Sequence, residues 1–293
     1  MRIWLMAARP RTLPAAIAPV LVGTAAAIEL VGELPRFGAL IAALVGSIFI
    51  QIGTNLANDY SDAKRGADTV ERLGPVRVTA AGLVAPQRVL VATWLAFAVA
   101  VAAGIYLATV AGWVIIAVGV ASIAAGVLYT GGPRPYGYAG LGELFVFLFF
   151  GLVAVNGSYY VQLEELEWLP FGLSVAVGCL ATAILVVNNV RDIETDRRAG
   201  KNTLAIRIGR ANARRLYLGL VGLAYVTLVV ILVVKGGPWW GLLGLISAPL
   251  AIRPTREVMT RTDGPALNAA LAGTGALLGA FSLALSAGLL IAA

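Results

Sequence analysis

Long apolar stretches restrict the fold of this chain more than any other feature. A helix needs about 20 mostly apolar residues to cross the hydrocarbon core of a bilayer. Nine stretches approach or reach that length: 13–31, 37–58, 88–108, 110–130, 141–161, 168–190, 214–234, 237–252 and 266–292. They are rich in Ala, Leu and Val and do not alternate with polar residues, which favours helices over a barrel. The sequence therefore predicts an all-α polytopic membrane protein with nine transmembrane helices, surrounded by membrane lipid.

Basic residues are distributed unequally between the segments that join these nine helices. If the N-terminus lies in the cytoplasm, 20 of the 22 Lys and Arg residues fall on the cytoplasmic side, and only Arg36 and Lys235 fall outside. Such a bias is the usual orientation signal of membrane proteins. The sequence thus predicts a multi-pass protein of the cell membrane, with the N-terminus and the polar loops cytoplasmic and the C-terminus outside. Because topology explains the net charge of +7, we expect no nucleic-acid partner.

The residue types that are missing exclude several kinds of chemistry. The chain has no histidine and a single cysteine, Cys179, in the middle of an apolar stretch. A disulfide framework, a zinc site built from Cys and His, and histidine acid/base catalysis are therefore excluded.

Two polar clusters lie at the ends of the second and the sixth apolar stretches and in the loops that follow them. The first, residues 51–68, reads QIGTNLANDYSDAKRGAD, and the second, residues 188–209, reads NNVRDIETDRRAGKNTLAIRIG. Each contains an asparagine four residues before its leading aspartate, and the two clusters are four helices apart. This offset predicts one domain made of two related four-helix halves, about 13–130 and 141–252, plus a ninth helix at 266–292. The two clusters would then face each other at the same side of the membrane.

The spacing within each cluster indicates what its carboxylates can do. With 3.6 residues per helical turn, positions 55, 59 and 62 share one face, and so do positions 188, 192 and 196. Crowded carboxylates repel one another unless a cation lies between them. Oxygen donors without nitrogen or sulfur select Mg²⁺, which usually keeps water and substrate phosphate in its shell. The predicted metal ligands are Asp59, Asp62, Asp192, Asp196, Asn55 and Asn188.

Asp68 follows Gly66 and is predicted to lie on a loop, where it either reaches the same ion or is only solvated. Glu194 points away from the face shared by Asp192 and Asp196, so we expect it to face solvent. The structural alternative is that all these acids are loop charges paired with nearby arginines.

The two motifs, Asn58-Asp59-x-x-Asp62 and Asp192-x-x-x-Asp196, resemble those of the UbiA superfamily of intramembrane aromatic prenyltransferases. The stretches ARPRTLPAAIAPVLVGT, RLGPVR and YTGGPRPYGYAGLGELFVFLFFG also resemble its menaquinone-pathway branch. The resemblance implies Mg²⁺-dependent transfer of a prenyl group from polyprenyl diphosphate to an aromatic acid acceptor. For that branch the acceptor is 1,4-dihydroxy-2-naphthoate, and CO₂ and diphosphate leave as demethylmenaquinol forms. An alternative acceptor is 4-hydroxybenzoate.

The resemblance also implies roles for further residues. The four aspartates would hold the metal, while Asn55, Asn58 and Asn188 orient or bind the substrate complex. The tyrosines around Tyr129 either stabilise the allylic cation with their ring faces or form an interfacial belt. Candidates for direct phosphate contact are Arg134, Lys201, Arg77 and either Arg9 or Arg11.

One departure from the family pattern concerns the loop after the fourth helix. Members that use 4-hydroxybenzoate commonly have a basic residue directly after the tyrosine, whereas here four residues separate Tyr129 from Arg134. It stays open whether Arg134 contacts the diphosphate or the carboxylate of the acceptor.

Two other classes of protein also carry acidic clusters in a polytopic fold. An ion-coupled transporter would not explain why both clusters are predicted on one side of the membrane. An alcohol phosphotransferase would keep its aspartates in one compact motif, whereas 133 residues separate Asp59 from Asp192.

Overall fold

The computed structural model describes residues 2–67, 73–74 and 76–293. Within these residues the chain forms helices and connecting loops without a β-strand, which confirms the all-α prediction. The helices are α1 (Arg2–Ala8), α2 (Leu13–Val31), α3 (Phe37–Lys64), α4 (Pro86–Ala111), α5 (Val114–Leu128), α6 (Gly142–Leu163), α7 (Trp168–Arg198), α8 (Leu204–Val234), α9 (Ile252–Thr260) and α10 (Gly264–Ala292). Two 3₁₀ segments, Pro10–Thr12 and Trp239–Ala251, precede α2 and α9.

Seven helical segments in the described part of the chain are long and apolar enough to cross a membrane. The two predicted spans that differ are 110–130 and 237–252. The first contains the 15 residues of α5, about 22 Å of α-helix. The second is the 13-residue 3₁₀ segment Trp239–Ala251, which reaches about 26 Å because a 3₁₀-helix rises about 2 Å per residue. The predicted count of nine is therefore approximate.

Helix α7 forms the centre of the bundle. Its apolar part is the most buried of the spanning helices, and it packs against α2, α6, α8 and α10. Small residues let helix backbones approach closely in lipid, where no hydrophobic effect drives helices together. Gly151 of α6 lies against Gly178 of α7 in this way. Because the second polar cluster ends α7, this packing places it near the middle of the bundle.

Replacing Gly151 with alanine should destabilise the protein. The added methyl carbon would lie 2.6 Å from the Cα atom of Gly178 and 2.8 Å from the carbonyl oxygen of Ser174. Backbone atoms cannot move aside as a flexible side chain can, so we expect a loss of about 1–3 kcal/mol, visible as a lower midpoint of thermal unfolding in detergent. The control is Gly219→Ala in α8, where the added carbon meets nothing within 4 Å. Equal midpoints for the two variants would contradict this account of the contact.

Candidate active site

A cavity of about 380 Å³ lies among α2, α3, α5, α6 and α7. One end is polar and the rest is apolar. The predicted site residues that line it are Arg9, Asn55, Asn58, Asp62, Arg77, Tyr129, Asn188, Asp192, Asp196 and Lys201. The predicted residues Asp59, Arg11 and Arg134 do not line it, and Asp68 lies outside the described residues. The structure thus brings most of the predicted residues to one place, although they are far apart in the sequence.

The carboxylate of Asp62 is the centre of a charged network at the polar end. The hydroxyl of Tyr138 donates to its Oδ1 at 2.7 Å, and Nη2 of Arg77 donates to its Oδ2 at 3.1 Å. Nζ of Lys201 lies 3.4 Å from the same Oδ2. Asp62 is 1% exposed, and a carboxylate buried this deeply needs the opposite charges and hydrogen-bond donors that surround it.

Lys201 connects the two acidic clusters. Its Nζ lies 3.4 Å from Oδ2 of Asp62 in α3 and 3.6 Å from Oδ1 of Asp196 in α7. It also lies 4.8 Å from the centre of the Tyr138 ring, a cation–π distance. Two carboxylates that contact one ammonium group must be close neighbours, so the acidic ends of α3 and α7 meet at the same end of the bundle.

Asp59, the leading aspartate of the first motif, is hydrogen-bonded to the loop between α3 and α4. Its two carboxylate oxygens each accept a hydrogen bond at 3.0 Å, from the backbone N–H groups of Val78 and Thr79. It is 2% exposed and does not line the cavity. Asp59 therefore anchors the loop between α3 and α4, and the anchored loop carries Arg77 onto Asp62.

Arg191 organises the second cluster, and it was not among the predicted site residues. This arginine is 1% exposed. Its Nε and Nη2 donate to the two carboxylate oxygens of Asp192 at 2.7 and 2.5 Å. Its Nη2 also donates to Oδ1 of Asn188 at 2.7 Å, and its Nη1 donates to Oδ1 of Asn268 at 2.7 Å. From the sequence alone, Arg191 is only one of the basic residues predicted on the cytoplasmic side. Its place inside the helical motif was the available signal, because a charge buried within a helix bundle is costly and usually functional.

The N-terminal segment is attached to α3 by two amide side chains. Nδ2 of Asn55 donates to the carbonyl oxygen of Ala8 at 3.0 Å and to Oγ1 of Thr12 at 3.1 Å, and Nε2 of Gln51 also donates to Oγ1 of Thr12 at 3.0 Å. These bonds bring Arg9 to the cavity wall. Arg9 has a φ of 55°, a left-handed conformation that costs a non-glycine residue energy and is often found at functional sites.

Aromatic rings line the cavity next to its polar end. Tyr129 meets Tyr136 edge to face with ring centres 5.5 Å apart, and Tyr136 stacks on Phe145 at 4.0 Å. Phe145 in turn lies 6.1 Å from Phe149, in the π-helical part of α6. Burial raises the pKa of Tyr136 well above its ordinary value, so its hydroxyl stays protonated. The hydroxyl of Thr130, in the loop between α5 and α6, donates to Oδ1 of Asn58 at 2.8 Å. This bond fixes the start of the loop against α3.

Arg134 lies on the same loop but is exposed. Gly132, two residues earlier, has a φ of 75°, so the chain turns through a conformation that glycine adopts easily. The turn carries Arg134 away from the cavity.

The oxygen donors at the polar end fit a hard divalent cation. Asp62, Asp192 and Asp196 present carboxylates, and carboxamide oxygens lie beside them, a donor set suited to Mg²⁺. Among the described residues no group of three or more acidic side chains forms a preformed metal site. Instead, Arg77, Lys201 and Arg191 contact the carboxylates.

Known proteins are similar in sequence over nearly the whole chain. A model of the UbiA prenyltransferase family matches residues 16–281. The 1,4-dihydroxy-2-naphthoate octaprenyltransferase of Mycobacterium tuberculosis is 44% identical, over 98% of this chain and 96% of that protein. The Escherichia coli protein of the same name is 40% identical, over 94% of this chain and 91% of that protein.

Solved structures share the fold. The apo structure of a UbiA homolog from Aeropyrum pernix has a TM-score of 0.66 at 17% identity and covers 99% of this chain and 98% of its own. A UbiA homolog from Archaeoglobus fulgidus bound to GPP and Mg²⁺ has a TM-score of 0.62 at 14% identity, with coverage of 97% and 99%.

Proposed function

Because this chain belongs to the UbiA prenyltransferase family, we propose that it transfers a polyprenyl group from polyprenyl diphosphate to 1,4-dihydroxy-2-naphthoate. The products are demethylmenaquinol, diphosphate and CO₂. Relatives of that name at 40–44% identity over almost the whole chain support the choice of acceptor. The observation that carries the proposal is the contact of Lys201 with carboxylates of both clusters, at the polar end of an apolar cavity.

The apolar part of the cavity suits the prenyl tail. Helix α6 contributes Phe149, Phe150 and Val153 to its wall, and α3 contributes Ala43 and Ile50. On α3 these lining positions continue to Asn58, so the wall follows the helix for about 22 Å at 1.5 Å per residue. A long apolar chain can therefore lie along the helices while its charged end stays at the polar end.

The charged residues suit the diphosphate. Arg9, Arg77 and Lys201 line the polar end, and cations placed there stabilise the negative charge that develops as the diphosphate leaves. Mg²⁺, when bound, would neutralise further charge on the leaving group. Asp62, Asp192 and Asp196 would hold it, together with Asn55 and Asn188, while Asn58 would bind the substrate. Asp59 would contribute by holding the loop that carries Arg77.

The chemistry at the acceptor needs no histidine base. The bond from the allylic carbon to the diphosphate oxygen breaks, and both electrons leave with diphosphate. The ring carbon that bears the carboxylate then bonds to the allylic carbon, whose positive charge the ring face of Tyr129 stabilises. CO₂ leaves that ring carbon, and the electron pair of the broken bond restores the aromatic ring.

The orientation of the protein in the membrane follows from its charges. Because 20 of 22 basic residues lie on one predicted side, we place the N-terminus and the polar end of the cavity in the cytoplasm and the C-terminus outside. A water-soluble acceptor would then enter from the cytoplasm.

A direct assay tests the proposal. Purified protein in detergent, supplied with MgCl₂ and a labelled polyprenyl diphosphate, should prenylate 1,4-dihydroxy-2-naphthoate. EDTA should reduce the turnover at least about a hundredfold, since the charge stabilisation that a metal ion supplies would be lost, and added Mg²⁺ should restore it. Prenylation of 4-hydroxybenzoate alone would overturn the choice of acceptor. Ion flux in liposomes without any prenylated product would overturn the enzyme class and favour a transporter.

A further inference from the structure

Glu143 and Asn189 form a buried polar pair that the diphosphate chemistry does not use. Glu143 lies in the first turn of α6 and is 7% exposed, and Asn189 lies on α7 and is 4% exposed. Nδ2 of Asn189 donates to Oε1 of Glu143 at 2.9 Å. Buried polar groups inside a membrane are costly, so a pair that persists there calls for a functional explanation.

The pair fixes the orientation of the Asn189 carboxamide. Because Nδ2 of Asn189 donates to Oε1 of Glu143, Oδ1 of Asn189 faces away from Glu143. Asn189 lines the cavity whereas Glu143 does not. Within the described part of the chain, no donor forms a hydrogen bond to Oδ1 of Asn189. The wall of the cavity therefore contains an acceptor oxygen that can bind a donor of the substrate.

The surroundings of this oxygen suit an aromatic ring. Leu185 lies one helical turn before Asn189, and both residues line the cavity, as does Tyr129. Leu185 and Tyr129 converge next to the start of α6, since a methyl group added at Gly142 would lie 3.1 Å from Leu185 and 3.2 Å from Tyr129. An apolar side chain and an aromatic ring thus lie next to the start of α6, where Asn189 contacts Glu143.

Only one of the reactants can supply the missing donor. An ionised diphosphate offers acceptor oxygens alone, and a prenyl chain offers no polar group. A hydroxylated aromatic acid brings O–H donors on a flat apolar ring. We infer that Oδ1 of Asn189 accepts a hydrogen bond from a ring hydroxyl of the aromatic acceptor, and that Glu143 is the positioning residue that holds the carboxamide in the required orientation. This inference rests on the proposed prenyl transfer to a hydroxylated aromatic acid.

Separate kinetic constants for the two substrates test the inference. Glu143→Gln lets the amide of residue 143 donate instead, which permits the Asn189 carboxamide to turn over. We expect the KM for 1,4-dihydroxy-2-naphthoate to rise about tenfold, as for the loss of one hydrogen bond. The KM for polyprenyl diphosphate should not change. The control is Asn156→Leu, since the Asn156 amide donates to the carbonyl oxygen of Leu152 in its own helix and does not line this cavity.

A rescue experiment separates positioning from a merely structural role. Asn189→Asp alone places two carboxylates against each other and should impair use of the acceptor. In the double variant Asn189→Asp with Glu143→Gln, the amide of residue 143 can donate to one oxygen of residue 189 and leave the other facing the cavity. We expect this double variant to recover an acceptor KM within about threefold of the wild-type value, a smaller change than the loss of one hydrogen bond produces.

A modified acceptor gives a test that does not depend on folding of a variant. Methylating the ring hydroxyls one at a time should raise the wild-type KM about tenfold for the hydroxyl that meets Asn189, and the same ether should make no difference in Asn189→Leu. The inference is overturned if no ether has this effect, if Glu143→Gln raises the diphosphate KM instead, or if the double variant is as impaired as Asn189→Asp. Absence of naphthoate prenylation by the wild-type protein would instead refute the proposed function.

Discussion

Replacing Asp62 with asparagine should lower the turnover of prenyl transfer by about a thousandfold, the scale seen when one preorganised charge-stabilising group is removed from an active site. The Asp62 carboxylate contacts Tyr138, Arg77 and Lys201 at once. Without its charge, the two cations lose the partner that holds them at the polar end, and one of the proposed metal ligands becomes neutral. The measurement is the rate of labelled product formation at saturating concentrations of both substrates.

The matched control for Asp62→Asn is Glu194→Gln. Glu194 lies on α7 between Asp192 and Asp196, but its side chain is 59% exposed and it does not line the cavity. Removing its charge should change turnover by less than about twofold, because exposed ion pairs contribute little. If Asp62→Asn kept more than a tenth of the wild-type turnover, the central role given to this carboxylate would be wrong.

Replacing Arg191 with methionine should destabilise the protein by about 3–5 kcal/mol, as expected when one partner of a buried ion pair is removed. Arg191 is 1% exposed, and its guanidinium donates hydrogen bonds to Asp192, Asn188 and Asn268. Its loss would leave the Asp192 charge without its counter-ion and two carboxamide oxygens without donors. Unfolding by denaturant or heat in detergent micelles would measure the change.

Two further variants make this result interpretable. Arg197→Met removes an arginine from the same helix, but that side chain is 61% exposed and its ion pair with Glu194 is 3.7 Å long; we expect a change below about 1 kcal/mol. Arg191→Lys keeps the charge but cannot form the forked contact with Asp192, so an intermediate loss is expected. Equal stability of Arg191→Met and Arg197→Met would show that the buried network is not needed for folding.

The membrane fold was largely predictable from the sequence. The apolar stretches identified the seven long spans, and the other two predicted spans, 110–130 and 237–252, are a short α-helix and a 3₁₀ segment in the structure. Apolar length does not distinguish an α-helix from a 3₁₀-helix, and the second segment packs as a 3₁₀-helix against α10. The division into two four-helix halves stays a prediction.

The sequence predicted those parts of the candidate site in which helical spacing determines which side chains share a face. Spacing placed Asp62 on the same helical face as Asn55, and Asp196 on the same face as Asn188, and all four line the cavity. Spacing did not reveal that the carboxylate of Asp59 would accept hydrogen bonds from backbone N–H groups of the loop that follows α3. It also did not show that a turn at Gly132 would leave Arg134 exposed.

The sequence by itself determined that this chain spans a membrane as helices and carries two matched sets of oxygen ligands, because apolar length and helical periodicity are local properties. Only the tertiary structure decided which charges meet. Lys201 bridges α3 and α7, Arg191 contacts α10, and Glu143 on α6 orients Asn189 on α7. Except for the contact of Lys201 with Asp196, these contacts join residues far apart in the chain. In a medium without water, the position of a charge depends on which partner the packed helices bring within reach.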